Sequence, residues 1–217
     1  MTKEIQLYAV GDIAPNREQP DTIFEHIADF IKEADIAFCQ LDSVLSHRGT
    51  PLPQARLVAQ TVPEVASSIK KAGFDVVSFA SNHCMDMGRE AFFDTIEALH
   101  EQDLYTIGVG ANINEARLPA IIEHADTKVA FLGYNSILPQ SYWAEKDRQG
   151  CTPMRAYTLY EQIEHDQPGT PCKVHTFAHR EDLQAMCDDI KKVKKQEKIL
   201  SLRQESFLRR KDMNIRI

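Results

Sequence analysis

Apolar positions along this chain switch between two periods. Compact runs rich in Val, Ile and Phe occur at Ile5–Val10, Ile36–Leu41, Val76–Ala80 and Leu104–Val109, and they predict strands. Stripes at helical spacing lie between them. Asp21–Lys32 places Ile23, Phe24, Ile27, Phe30 and Ile31 on one face, with Asp21 in the N-cap position. Pro63–Lys71 opens on a proline, which a first helical turn tolerates, and stops before Gly73, a residue suited to the left-handed cap. Arg89–Gln102 turns Phe92, Phe93, Ile96 and Leu99 to one side as core residues. Strands alternating with helices in this way predict an α/β fold.

The pattern changes after Gly110. Ala120–His124 and Lys128–Tyr134 predict two strands joined as a hairpin through Ala125, Asp126 and Thr127, so the sheets are mixed. Asn135–His179 has no clear period and carries four prolines and Trp143. A stretch of that length without elements is unusual in a compact domain, and it predicts a functional lid or a loop packed on missing structure. A helix resumes at Glu181–Lys195.

Chemistry collects where the strands stop. The first run ends at Gly11-Asp12, the second runs into Asp42, and the third ends in Ser81-Asn82-His83, with Asp86 and Gly88 close behind. Open α/β sheets place their sites at such strand ends. Two carboxylates, an amide and an imidazole are the ligand chemistry of a divalent-metal hydrolase. Each residue also has an ordinary reading. Asp12 fits a turn cap, Asp42 a loop acid, and Asn82 and His83 a locally bonded turn. Asp86 fits an acid favoured at a helix start. His175 and His179 read as surface or capping residues.

Composition narrows the classes. The chain has 217 residues, 43% hydrophobic and 26% charged, as expected of one globular domain or a little more. No apolar run approaches 18 residues, so no membrane span is expected, and the opening residues lack a signal-peptide core, which predicts a cytoplasmic protein. Cys39, Cys84, Cys151, Cys172 and Cys187 are odd in number and form no CxxC pair, which predicts reduced thiols. The net charge is −7, yet residues 191–217 hold ten Lys or Arg against three acids. The basic end has few aromatics among its cations, so nucleic acid is not an expected partner.

The order of these motifs carries a resemblance. Gly11-Asp12, Gln40-Leu41-Asp42, Gly73-Phe-Asp-Val-Val-Ser-Phe-Ala-Ser-Asn-His83 with Asp86 and Gly88, Thr106-Ile-Gly-Val-Gly-Ala111 and Val129-Ala-Phe-Leu-Gly-Tyr134 together resemble the poly-gamma-glutamate capsule biosynthesis (CapA-like) family. That family looks like a branch of the calcineurin-like metallophosphoesterases. The resemblance implies an α/β/β/α sandwich with mixed sheets. It implies Asp12, Asp42 and Asn82 as metal ligands and His83 and Asp86 as catalytic residues. Mn²⁺, Mg²⁺ or Zn²⁺ is the implied cofactor, and an anionic polymer or a phosphoester the implied substrate.

Departures from the family pattern qualify that picture. Asp42 stands where the family has Glu, Gln40 where it has Asn, and Ser81 replaces the first Asn of an Asn-Asn-His motif. The later His-Trp-Gly and Gly-His-His-Pro-His motifs are missing, and the last histidine is His179. The expectation is therefore a domain over 1–196 that is incomplete at its C-terminal end, a basic tail over 197–217 outside it, and a metal held weakly or not at all. Two functions follow: a metal-dependent hydrolase acting on a phosphoester or gamma-glutamyl substrate, or a non-catalytic component of capsule polymer synthesis.

Overall fold

The computed structural model describes residues 4–167, 169–195 and 199–200. Its centre is a parallel sheet of β1 (Leu7–Ile13), β2 (Ile36–Leu41), β3 (Val76–Ser78) and β4 (Tyr105–Ile107), in that order. Parallel neighbours need a crossover each time, so every strand ends at the same edge of the sheet. The central strands are covered on both faces, which is why they read as unbroken apolar runs.

One face carries the main core. Val65, Ala66 and Ile69 of α1 (Val65–Lys71) and Ala91, Phe92 and Leu99 of α2 (Gly88–His100) pack there with Ala37, Cys39, Leu41, Val77 and Phe79. Side chains of this size each contribute roughly 1.5–3 kcal/mol on burial, which makes the helix–sheet layer the chief source of stability. The other face packs on a second sheet. There β5 (Ala120–His124) and β6 (Thr127–Phe131) form an antiparallel hairpin. Val76, Ile107 and Ala120 are buried between the sheets, and Phe38 stacks on Phe131 at 6.0 Å. Ile199–Leu200 adds a parallel strand to the outer edge of β6. That pair lies beyond the domain end expected at 196, while residues 201–217 of the expected tail fall outside the described residues.

The stretch expected to lack elements divides in two. Its first half is docked. Tyr142, Trp143, Ala144, Cys151 and Thr152 are buried, and Gly150–Cys151 pairs with Val109–Gly110. Thr152 N donates to Gly108 O at 2.9 Å, and Asn135 Nδ2 to Ala80 O at 2.6 Å. The second half is a hairpin of β7 (Ala156–Gln162) and β8 (Cys172–Ala178). Both its faces are open to solvent, so its residues show no inside–outside alternation and no period was visible. α3 (Arg180–Lys195) follows. Its Asp182 accepts from Arg155 through N, Nε and Nη2, and its Asp189 accepts from Arg117 and, at 2.8 Å, from Tyr134 Oη–H. These bonds attach α3 as the last helical layer. The layers match the expected α/β sandwich. Among the described residues no helix is long and apolar enough to cross a membrane.

Two elements differ from expectation. The helix expected over 21–32 is a 3₁₀ turn at Pro20–Thr22 and a single α-turn at Ala28–Ile31. Asp21 does not cap it: its carboxylate takes Lys71 Nζ at 2.8 Å instead, and Phe30 stays exposed, stacked on Tyr8. β1 continues past Val10 to Ile13, because a register shift between Ala9 and Asp12 lets pairing with β2 resume.

Close approach of the two sheets is set by a pair of glycines. Gly108 has φ +79°, and a Cβ there would lie 2.6 Å from Ala80 Cβ. A Cβ on Gly133 would meet Gly108 Cα at 2.8 Å. Gly108→Ala therefore costs about 1–3 kcal/mol, read as a lower urea midpoint. Gly11→Ala, with nothing within 4 Å of the added carbon, is expected to leave the midpoint nearly unchanged.

Candidate functional site

Register brings the acids and the histidine to one edge. Asp12 lies opposite Gln40, and Gln40 opposite Ser78, so Asp12, Asp42 and the Ser81–His83 turn project from three adjacent strands. Beyond β3 the chain turns sharply: Ser81 N donates to Phe79 O at 2.7 Å and Cys84 N to Ser81 O at 3.2 Å. Ser81, 2% exposed, fixes both neighbours of the site. Its hydroxyl donates to Asp42 Oδ1 and accepts from His83 N at 2.9 Å.

His83 is oriented by Asp86. Nδ1 lies 2.5 Å from Asp86 Oδ2, and Asp86 is 2% exposed. A buried carboxylate accepts, so the consistent tautomer carries its proton on Nδ1 and leaves Nε2 free. Nε2 is directed to the acids, 4.0 Å from Asp42 Oδ2. Asp86 takes two further donors: Ala59 N at 3.2 Å on Oδ2 and Tyr142 Oη–H at 3.4 Å on Oδ1. The helix-start reading of Asp86 is thereby replaced. The carboxylate serves a loop amide, a phenol and an imidazole, and α2 begins only at Gly88.

The carboxylates are not independent. Partial burial, then the negative charge of Asp42, holds the Asp12 carboxyl above its ordinary range, and His83 opposes the shift. Asp12 is exposed as a residue, so water screens much of this effect. The Asp42 contribution, second after burial, reflects two carboxylates brought near each other at this edge. Asn82 is exposed on the same turn, and Cys84, after His83, is fully buried.

A divalent ion would suit this donor set. Two carboxylates and an amide are ligand types that Mn²⁺, Mg²⁺ or Zn²⁺ accept. The His83–Asp86 bond fixes the orientation of the imidazole ring beside them. Among the described residues, however, no three His, Cys, Asp or Glu side chains form a group able to hold a metal ion. Asp12, Asp42, Asn82, His83 and Asp86 thus share a locality rather than a finished coordination sphere.

Two contributors escaped the sequence reading. Ser81 was visible only as a replacement for asparagine, and its link between Asp42 and His83 depends on the tight turn. Tyr142 lies in a segment without period, and nothing local in the chain marks it.

The profile of the family "Bacterial capsule synthesis protein PGA_cap" matches residues 6–202, and the chain belongs to that family. It is similar to "Capsule biosynthesis protein CapA" of Bacillus anthracis, 26% identical over 172 residues, covering 74% of this chain and 42% of the relative. "PGA biosynthesis protein CapA" of Bacillus subtilis is 24% identical over 154 residues, 66% of this chain and 40% of that one. A "Probable polyglutamine synthesis accessory protein" of Mycobacterium tuberculosis is 23% identical over 125 residues, 56% of this chain and 33% of that one. The chain therefore spans less than half the length of these relatives.

The turn itself is open to a direct test. Ser81→Ala removes the donor to Asp42 and the acceptor for His83 N, and it is expected to cost about 1–3 kcal/mol by chemical denaturation. Asn82→Ala, at an exposed position, is expected to stay within about 0.5 kcal/mol of the wild type.

Proposed function

We propose that this member of the capsule synthesis family is a metal-dependent hydrolase of phosphoester or gamma-glutamyl bonds. One observation carries the reading: Asp12, Asp42 and the Nε2 of His83 converge on one sheet edge, with His83 locked from behind by Asp86. Asp12, Asp42 and Asn82 would hold the ion, which when bound activates water and neutralises charge developing on the substrate. His83 offers Nε2 to accept or return a proton, and Asp86 steadies the imidazolium that results. Ser81 holds one oxygen of Asp42 by its hydroxyl. The relatives' names point to capsule biosynthesis and polyglutamine synthesis as the setting, and an anionic polymer is the kind of substrate that an acidic edge meets only with a cation between them.

A second reading, a supporting component without turnover, is favoured by the M. tuberculosis relative, whose name says accessory protein. The two separate by experiment. With Mn²⁺, Mg²⁺ or Zn²⁺, the hydrolase reading expects release of nitrophenol from bis(4-nitrophenyl) phosphate or of nitroaniline from a gamma-glutamyl anilide. His83→Gln is expected to remove that activity. Wild-type protein inert toward both probes with all three ions sinks the hydrolase reading and leaves the accessory one.

Metal binding is tested apart from turnover. Mn²⁺ in large excess raises the wild-type melting temperature by several degrees, since a ligand at about 100 times its Kd adds about 2.7 kcal/mol. Asp12→Ala loses that shift, because alanine supplies no charge to the ion. An equal shift in both proteins removes Asp12 as a ligand.

A further inference from the structure

The geometry points to Tyr142 as a positioning residue for the candidate site: its phenol fixes the Asp86 carboxylate, which in turn aims His83. This inference rests on the hydrolase reading for its consequence, but not for its structural content.

Tyr142 is the largest fully buried side chain among the described residues, at 0% exposure. Its hydroxyl lies 3.4 Å from Asp86 Oδ1, the one oxygen of that carboxylate that neither His83 nor the Ala59 amide occupies. The Asp86 lone pairs are then divided, with Oδ1 for the phenol and Oδ2 for the imidazole and the amide. A carboxylate anchored at one end alone is free to rotate about its terminal torsion, a broad and soft one. Anchored at both, it holds the ring plane of His83. Burial first, then the Asp86 charge, keeps the Tyr142 phenol well above its ordinary range, so the hydroxyl stays a donor.

The surrounding chain is built to hold this phenol in place. Tyr142 ends a 3₁₀ turn, with its N donating to Pro139 O at 2.9 Å. Gly150 lies directly on it: a Cβ there would come 2.3 Å from Tyr142 O. Ala144 N donates to Cys151 O at 2.9 Å, and Cys151 is itself paired to Val109 beside the central sheet. A segment 56 residues away in the chain thus delivers one hydroxyl to the back of the histidine turn.

The test uses Tyr142→Phe, which removes the hydroxyl and little else, beside Asp86→Asn and the double variant. Long-range ¹H–¹⁵N NMR at one fixed pH reads the tautomer and ring order of His83 without metal or substrate. The wild type is expected to show a single Nδ1–H tautomer with a slowly exchanging proton. Tyr142→Phe is expected to retain the fold by circular dichroism but to broaden or lose that proton and to mix tautomers. In Asp86→Asn the further loss of the phenol is expected to change nothing more, as required of two groups acting in series. Where the wild type hydrolyses a probe, Tyr142→Phe is expected to lower kcat about 10-fold with KM little changed, the lower end of the effect of outer-shell partners. An unaltered His83 signal in folded Tyr142→Phe overturns the inference, whatever the activity. A wild type without activity but with the expected NMR change supports the positioning role and tells only against hydrolysis. If Tyr142→Phe does not fold, wild-type protein with ¹³Cζ-tyrosine decides. A slowly exchanging Tyr142 hydroxyl that shifts in Asp86→Asn supports the role, and a rapidly exchanging one overturns it.

Discussion

A carboxylate enclosed in a core has to be supplied with donors, and Asp86 is the group around which this site is organised. Leaving such a charge unpaired costs several kcal/mol, so whatever surrounds it has to deliver N–H or O–H groups. Three separate parts of the chain do so: Ala59 from the loop between β2 and α1, His83 from the strand-end turn and Tyr142 from the segment after the second sheet. Main-chain bonds add to the same knot. Leu52 N donates to Asp86 O at 2.8 Å and Thr50 N to Met87 O at 3.1 Å, which wraps the loop onto the turn. One residue therefore couples a surface loop, a histidine and a buried phenol.

Much of this was legible because it depends on local pattern. The boundaries of β2 follow from an apolar run that both faces bury, and Gly73 has the positive φ, 103°, that its position after α1 demands. The convergence of Asp12, Asp42 and His83 was legible too, because strand ends in a parallel sheet share an edge. What was not legible depends on partners distant in sequence. The helix over 21–32 had a good apolar stripe, yet Lys71 took Asp21 away from capping, and Ile27 and Phe30 found no cover. The hairpin of β7 and β8 hides because Tyr157, Leu159 and Phe177 face water together with Thr158 and Glu161, so burial imposes no period on it. Tyr142 could be identified only once the fold had brought residues 86 and 142 together.

The glycines quoted in two motifs show a middle case. Gly108 and Gly133 stood out as fixed points of a pattern, but their purpose is mutual. Each occupies the space that a Cβ on the other would need. The contact sits just past β4, where Thr152 N also bonds to Gly108 O. It sets how closely the second sheet approaches the strand ends, and it therefore sets where the 135–152 segment, with Tyr142 on it, can dock.

The electrostatics of the opening then follow from the fold rather than from any single residue. Parallel strands 1 and 2 deliver Asp12 and Asp42 to the same side, and the sheet cannot separate them without losing its register. Ser81 uses one oxygen of Asp42, and His83 Nε2 approaches the other. Asp12 faces this pair with its carboxyl pushed upward by the burial and the charge around it. Two acids that the backbone forces together can lower their repulsion by taking up a proton or by taking up a cation. With Asp86 already committed to His83 from behind, the imidazole has its free nitrogen on the same side as the acids. Under the proposed hydrolase reading a cation would lie between the two acids, and His83 Nε2, on the same side, would be left to accept a proton.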